Sequence, residues 1–158
     1  MIPAAFDYHC PSSVDEAIGL LSDDAVLLAG GHSLLPAMKL RLSSPGAVID
    51  ISRLAELNYI KADGGTIAIG AATTHYQIES SEIVQSRAAA LAQAASVIGD
   101  PQVRNKGTIG GSLAHADPAA DYPAAILALG AEIQVKGPGG ERSISADEFF
   151  VDLFLTAL

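Results

Sequence analysis

Short apolar runs that end in turn-forming residues organise the first third of the chain. The runs at 25–29 and 47–51 are rich in Ala, Val, Ile and Leu, which predicts two short buried strands. Residues 34–41 lie between them and predict a short helix. A strand, a crossover helix and a second strand form the smallest parallel unit, so we expect the two strands to pair in parallel.

Three other segments have the apolar spacing or the end signals of helices. The Ser-x-x-Glu spacing at 13–16 matches a capping box and predicts a helix over 14–21. An alanine-rich stretch predicts one long helix over 82–98, with an apolar face formed by Ile83, Ala90, Ala94 and Val97. A third helix is expected over 122–129, with Asp121 as its N-cap.

Alternating apolar and polar positions around glycine-rich turns predict two hairpins. Their strands are expected over 59–62, 66–70, 133–136 and 142–145, and a short helical or loop segment follows over 146–150. The elements together predict an α/β (α+β) chain. We expect a smaller N-terminal lobe over 1–55 and a larger lobe over 56–158, with a ligand cleft between them.

Two glycine pairs follow apolar segments and carry the candidate chemistry. The first is Ala29-Gly30-Gly31-His32-Ser33, and the second lies within Gly107-Thr108-Ile109-Gly110-Gly111-Ser112. Glycine adopts positive φ without strain and lets a ligand come close to the backbone, and successive N–H groups then form an anion-binding concavity. Two such loops predict a ligand with two phosphates held from two sides. The alternative is that both are tight turns with no ligand.

Charge and composition exclude some classes of ligand and partner. The net charge of −9 argues against nucleic acid and implies that a diphosphate would be held by backbone N–H groups. Four basic residues near the loops could be ligand contacts or ordinary surface charge: Lys39, Arg41, Arg104 and Lys106. The single cysteine, Cys10, excludes an internal disulfide and an iron–sulfur cluster ligated by this chain alone.

Further sequence features argue against metal binding, secretion and membrane insertion. The four histidines show no i, i+3 or i+4 spacing, so we expect no metal site. We expect His75 and His115 to be neutral, packed or capping residues, whereas His32 could touch a phosphate or another part of the ligand. Neither a signal peptide nor a run long enough to span a membrane is present, which favours a cytoplasmic protein.

Four segments of the sequence resemble a known family. They are Ile2 to Tyr8, Ala29 to Lys39, Gln102 to Ser112 and Asp117 to Asp121. The chain resembles, along essentially its whole length, the FAD-binding medium subunits of molybdenum hydroxylases, the xanthine dehydrogenase family. Within that family the likeness is greatest to medium subunits of the aerobic carbon monoxide dehydrogenase type.

The resemblance implies a two-lobed FAD-binding fold of the vanillyl-alcohol-oxidase or PCMH-like type, with FAD bound non-covalently. The residues implied to bind the cofactor are Ala29, Gly30, Gly31, His32, Ser33, Leu34, Thr74, Ile98, Thr108, Gly110, Gly111, Ser112, Asp117 and Asp121. Asp121 would contact ribose or adenine in addition to, or instead of, capping a helix. The chain departs from the family at Ser112, where Asn is usual, and at Ile98, where relatives often carry an aromatic or another aliphatic residue.

The resemblance also implies an electron-transfer role and no catalytic residue for substrate chemistry on this chain. Electrons would pass from the [2Fe–2S] clusters of a small subunit through FAD to an external acceptor, while a molybdenum-binding large subunit oxidises the substrate. A dimer of heterotrimers is implied. The alternatives are a non-redox nucleotide-binding or assembly module, a flavin-free fragment and a self-sufficient flavin oxidase. Because the family continues with a C-terminal domain, the apolar ending at 154–158 predicts a truncated chain, and the segment 149–155 predicts an exposed apolar patch.

Overall fold

Helices and strands are interspersed along the chain in the computed structural model, which describes residues 2–158. The strands are β1 (Asp7–His9), β2 (Ala25–Leu28), β3 (Ala47–Asp50), β4 (Ile60–Asp63), β5 (Thr66–Ile69), β6 (Glu132–Gly137), β7 (Gly140–Ser145), β8 (Phe150–Asp152) and β9 (Leu155–Thr156). The helices are α1 (Val14–Gly19), α2 (Leu34–Lys39), α3 (His75–Ser80), α4 (Glu82–Arg87), α5 (Ala89–Val97), α6 (Pro101–Arg104), α7 (Ile109–His115), α8 (Tyr122–Ala128) and α9 (Ala146–Phe149), with a 3-10 turn at Ala55–Leu57. The predicted α/β fold class is confirmed.

A three-stranded parallel sheet forms the N-terminal part of the fold. Its order is β1-β3-β2, and both neighbouring pairs are parallel. The predicted β2–α2–β3 crossover is therefore confirmed, whereas β1 was not predicted. Ile49 is fully buried on this sheet and packs with Ala17 of α1 and with Leu54. This small apolar cluster holds α1 against one face of the sheet.

The capping box predicted for α1 forms only in part. Ser13 is the N-cap, and its hydroxyl accepts a hydrogen bond from the backbone N–H of Glu16 at 3.1 Å. The Glu16 carboxylate does not return to Ser13, because it accepts from both the backbone N–H and the hydroxyl of Ser12 at 2.7 Å. The hydrogen bond that a capping box places at the backbone N–H of Ser13 is thus made one residue earlier, at Ser12.

The single long helix predicted over 82–98 is wrong. Ala88 has φ −142° and ψ 54°, which separates α4 from α5. The predicted apolar face is also wrong. The buried residues are Val84, Leu91, Ala92 and Ala95, whereas Val97 is 66% exposed. Val84, Leu91 and Ala95 each follow a predicted position by one residue, so the buried face is turned by about 100° from the predicted one.

Two hairpins flank the helical part of the chain. β4 and β5 pair antiparallel and turn at Gly64 and Gly65, and β6 and β7 pair antiparallel around Pro138 and Gly139. The alternation predicted for β5 is confirmed, since its isoleucines are half-buried and Thr66 is exposed. No helix among residues 2–158 has the length and apolar character needed to cross a membrane.

The larger core lies between the helices and the β6–β7 hairpin. It is formed by Ile78, Val84, Leu91, Ala92, Ala95, Ile109, Leu113, Tyr122, Ile126, Ile144, Ala146 and Phe149. Phe149 is 1% exposed, so the apolar patch expected over 149–155 does not include it. The patch is formed instead by Val151, Leu153, Phe154, Leu155 and Leu158, all of which are exposed.

Replacing Phe149 tests this division of the C-terminal segment. Phe149→Ala should lower the free energy of unfolding by about 3–5 kcal/mol, because it empties a fully buried aromatic site. Phe154→Ala is the matched control, since Phe154 is 57% exposed, and it should cost less than about 1 kcal/mol. Urea unfolding of both variants measures the difference. Equal losses would show that Phe149 is not a core residue.

Candidate functional site

The two glycine segments are far apart in sequence but touch along their backbones. A Cβ atom on Gly30 would lie 2.7 Å from the Cα of Gly107 and closer still to the carbonyl oxygen of Lys106. Gly30 does not have positive φ, so it is the approach of a second backbone that requires glycine there. We term this contact between Gly30 and Lys106–Gly107 the glycine seam.

The first segment leaves a row of backbone donors without acceptors. Within the described chain, the N–H groups from Gly30 to Leu34 donate to no oxygen, and the next N–H, that of Leu35, donates to Gly31 O at 3.1 Å. Gly31 has φ +75°, which turns the chain from β2 into α2. Successive free N–H groups in such a turn form a concavity suited to anions. We term the row from Gly30 to Leu34 the N–H cradle.

The side chains around the N–H cradle supply few other polar contacts. The His32 ring is exposed, and its Nδ1–H donates to the carbonyl oxygen of Gly30 at 2.9 Å. Ser33 is the N-cap of α2, but its side chain makes no capping hydrogen bond. The backbone therefore dominates this part of the site.

The second segment is not a loop, contrary to the prediction. Thr108 is the N-cap of α7, and its hydroxyl accepts from the N–H of Gly111 at 3.2 Å. The N–H of Ile109 donates to Thr73 O at 3.0 Å, and that of Ser112 donates to Thr108 O at 3.0 Å. The prediction of a second backbone nest is wrong for these groups, because each already has an acceptor.

Gly110 allows the first turn of α7 to pack closely against Ala71. Its N–H donates to Ala71 O at 2.9 Å, and a Cβ atom there would lie 2.5 Å from the Cβ of Ala71. Gly111 lies on the side of α7 nearer the first segment, with its Cβ position 3.9 Å from the Cβ of Ala29. The first turn of α7 thus fits between Ala71 and the start of the first segment.

Thr74 and Ile98 have structural partners. Thr74 caps α3 through a capping box with Gln77, and its backbone N–H donates to Gln77 Oε1 at 2.8 Å. Thr74 also lies opposite Thr108 in an isolated antiparallel bridge, which brings it to the start of α7. Ile98 is the C-cap of α5, and its carbonyl accepts from the guanidinium of Arg104 at 3.2 Å.

The two aspartates differ in their surroundings. Asp117 Oδ1 accepts from the backbone N–H of Ala119 at 2.9 Å, which stabilises a tight turn. Asp121 lies at the N-cap position of α8, but its side chain makes no capping bond there, so the predicted cap does not form. Its carboxylate is exposed and has no hydrogen-bond or ion-pair partner among residues 2–158. Of the pair, Asp121 is the one free to contact a ligand.

The structure resolves the role of one of the four basic residues near the loops. Arg104 Nε lies 2.9 Å from Glu79 Oε2, and the same guanidinium donates to the carbonyls of Ile98 and Gly99. Arg104 therefore ties α6 to α3 and to the end of α5. Lys39, Arg41 and Lys106 are exposed.

A buried polar pair lies behind the seam. His75 Nδ1 is 3.0 Å from the hydroxyl of Tyr122, and both residues are buried. Burial, followed by the nearby charges of His32 and Arg104, lowers the pKa of His75 to about 4, and burial raises the pKa of Tyr122. Both are neutral near pH 7, which confirms the prediction for His75. A single hydrogen bond at Nδ1 therefore joins the neutral imidazole to the hydroxyl of Tyr122.

Sequence reasoning missed Tyr122 and Gly107 as parts of this arrangement. Tyr122 carried no signal beyond its place at the start of a helix. Gly107 did carry one, because it stands just before the second glycine pair. Its role became visible only from the backbone it touches.

Comparison with known proteins assigns the family. Residues 4–158 match the family described as the FAD binding domain in molybdopterin dehydrogenase. The chain belongs to this family. FAD is therefore the cofactor of the family, and the resemblance and cofactor predicted from the sequence are confirmed.

Curated relatives of this FAD-binding domain are medium chains of dehydrogenases. The carbon monoxide dehydrogenase medium chain of Hydrogenophaga pseudoflava is 52% identical over 161 residues, which cover 100% of this chain and 56% of that protein. The glyceraldehyde dehydrogenase medium chain of Sulfolobus acidocaldarius is 44% identical over 158 residues, covering 99% of this chain and 56% of that protein. The chain thus spans little more than half the length of these oxidoreductase subunits.

Solved structures of related enzymes contain the same fold. Carbon monoxide dehydrogenase from Hydrogenophaga pseudoflava matches with a TM-score of 0.97 and 52% identity, and quinoline 2-oxidoreductase from Pseudomonas putida 86 matches with a TM-score of 0.96 and 37% identity. Both matches cover 100% of this chain and 56% of the other chain. The mixed helix and strand arrangement is that of the FAD-binding domain of such subunits.

The neutrality of His75 has a measurable pH dependence. The folded chain holds the pKa of His75 near 4, whereas an unfolded chain has the ordinary value of 6.5, so unfolding takes up a proton between these values. The contribution of neutral His75 to the free energy of unfolding is therefore complete above about pH 6.5. It falls by about 3 kcal/mol as the pH drops to 4. His75→Gln should lack this decrease. Denaturant unfolding of both proteins at pH 7 and pH 4 tests it, and parallel losses in the two would contradict a neutral buried His75.

Proposed function

We propose that this chain is the FAD-binding part of a medium subunit in a molybdenum hydroxylase similar to carbon monoxide dehydrogenase. Its FAD would collect electrons from [2Fe–2S] clusters and pass them to an external acceptor. The family match and the medium-chain relatives support this proposal. Because the chain spans 56% of those relatives, the activity of the whole assembly is part of the proposal.

The observation that carries FAD binding is the N–H cradle. FAD contains a diphosphate, and the free donors from Gly30 to Leu34 are chemically suited to it. The chain carries a net charge of −9, so long-range attraction for an anion is absent. A diphosphate would therefore be held by short-range backbone hydrogen bonds, and these residues fit the group.

The other predicted contacts surround the cradle in this proposal. Residues proposed to bind FAD are Ala29, Gly30, Gly31, His32, Ser33, Leu34, Thr74, Ile98, Thr108, Gly110, Gly111, Ser112, Asp117 and Asp121. The free carboxylate of Asp121 suits a ribose hydroxyl or the adenine amine. Because the N–H groups from Ile109 to Ser112 have acceptors within the chain, we propose that the second segment contributes its surface and the Ser112 hydroxyl.

We propose that the cofactor lies between two lobes, 1–55 and 56–158. The two separate apolar clusters support this division, one around Ile49 and the other around Tyr122 and Phe149. The glycine seam would then join the lobes beside the ligand.

The proposed partners are an iron–sulfur small subunit and a molybdenum-binding large subunit, assembled as a dimer of heterotrimers. Support comes from relatives that are named as medium chains or subunits of complexes. In this arrangement substrate chemistry occurs on another subunit. The cytoplasmic location expected from the sequence remains a prediction.

Flavin retention tests the proposal directly. The purified chain, incubated with FAD and desalted, should keep about one FAD per chain, and denaturation should release the flavin intact because no covalent link is expected. Absorbance spectra of the desalted protein and of the supernatant after precipitation measure both results. A colourless chain would favour the assembly-module alternative, and flavin fixed to the precipitate would contradict non-covalent binding.

Gly31→Val tests the cradle itself. A side chain there is strained at φ +75° and would lie 2.9 Å from the Cδ1 of Leu35, so the cradle should deform and FAD affinity should fall by at least about tenfold. Gly64→Val is the matched control, because Gly64 has φ +55° but open space around it and lies in the β4–β5 turn. Fluorescence titration with FAD measures the dissociation constant of both variants. An equal loss of affinity in both would show that the loss does not come from the N–H cradle.

A further inference from the structure

Gly107 lies between the N–H cradle and a buried imidazole. On one side, its Cα is 2.7 Å from the position that a Cβ of Gly30 would occupy. On the other, a Cβ of Gly107 would lie 2.5 Å from His75 Nε2 and 2.8 Å from His75 Cδ2. The thickness of one glycine residue therefore separates the start of the cradle from the imidazole ring.

His75 is fixed from two directions. Its backbone N–H donates to the carbonyl oxygen of Gly107 at 3.0 Å, which holds the two backbones together. Its ring is held by Tyr122, the first residue of α8, through the 3.0 Å hydrogen bond at Nδ1. Because Tyr122 is fully buried in the main core, the ring position is set by that core.

We propose that His75 is a positioning residue for FAD: the imidazole, held by Tyr122, sets the position of Gly107, and Gly107 sets the position of Gly30 at the start of the cradle. The inference rests on the proposed FAD function and deepens it. His75 acts through Gly107 and does not itself contact the cofactor. FAD affinity then depends on residues of the main core that lie behind the cradle.

A double substitution tests the contact. Gly107→Ala places a methyl group against the imidazole and should weaken FAD binding by at least about tenfold, since a shift of the seam moves several donors together. Adding His75→Ala removes the ring that the methyl meets, and the double variant should recover at least about threefold of that loss. Gly139→Ala is the control, because that position has open space and ordinary φ.

The readouts separate positioning from stability. Fluorescence titration gives the dissociation constant of FAD, the visible circular dichroism of the bound flavin reports its orientation, and thermal unfolding without FAD reports the fold. Gly107→Ala is expected to change the first two while the apo chain still unfolds cooperatively. If Gly107→Ala only weakened the fold, adding His75→Ala would not restore FAD affinity. Recovery of affinity in the double variant therefore indicates a positioning role.

Each outcome decides one claim. A wild-type chain that does not bind FAD overturns the proposed function, whatever the variants do. Binding by Gly107→Ala equal to wild type overturns the positioning role, and so does a double variant no better than the single one. If Gly107→Ala does not fold, Tyr122→Phe decides, because it removes only the hydroxyl that orients the ring. A lowered FAD affinity with an altered dichroism signal then supports the role, and unchanged values overturn it.

Discussion

The contact between Gly30 and Lys106–Gly107 is the constraint on which the candidate site depends. The backbone of Lys106–Gly107 approaches so closely there that Gly30 has no room for a Cβ atom, and the imidazole of His75 leaves no room for one on the far side of Gly107. The contact joins the turn after β2, in the parallel sheet, to the turn before α7, in the helical part. Because protein interiors are close-packed, a displacement of one of these two backbones also displaces the other. The cradle therefore has a fixed position relative to α7, α3 and the main core.

The two glycine segments differ in how they use their backbone donors. Gly31 has positive φ and directs its stretch of chain into a six-residue helix with no side-chain cap, which leaves the N–H groups before it free. Thr108 instead caps α7, and the carbonyls of Thr73 and Ala71 receive the next N–H groups. An N–H group without an acceptor costs about 1–3 kcal/mol when buried. Only the first segment thus keeps donors that water or a ligand must satisfy.

Several elements defined by local pattern were predicted, whereas elements defined by distant contacts were not. The exception among the local patterns is α3, which was missed although a capping box between Thr74 and Gln77 marks its start. The β2–α2–β3 unit and the β4–β5 hairpin follow from apolar runs and turn residues. The break at Ala88 was not predicted, because alanine is the best helix former and nothing in its neighbours marks a boundary. β1 is three residues long and exists through its pairing with β3. The first turn of α7 contains two glycines, whose low helix propensity argued for a loop.

The same ambiguity explains why the site was located from the sequence but its roles were not. Glycine at Gly31 provides positive φ, and at Gly30 it permits a backbone contact. At Gly107 it leaves room for the His75 ring, and at Gly110 it fits a helix against Ala71. A sequence shows that a residue is glycine but not which of these reasons applies. The resemblance to a family therefore identified the two segments but not the structural role of each glycine in them. In a chain with a net charge of −9, anion binding has no long-range attraction to rely on. The placement of a few N–H groups must then supply the affinity, and the close contact of Gly30 with Lys106–Gly107 fixes the start of that row.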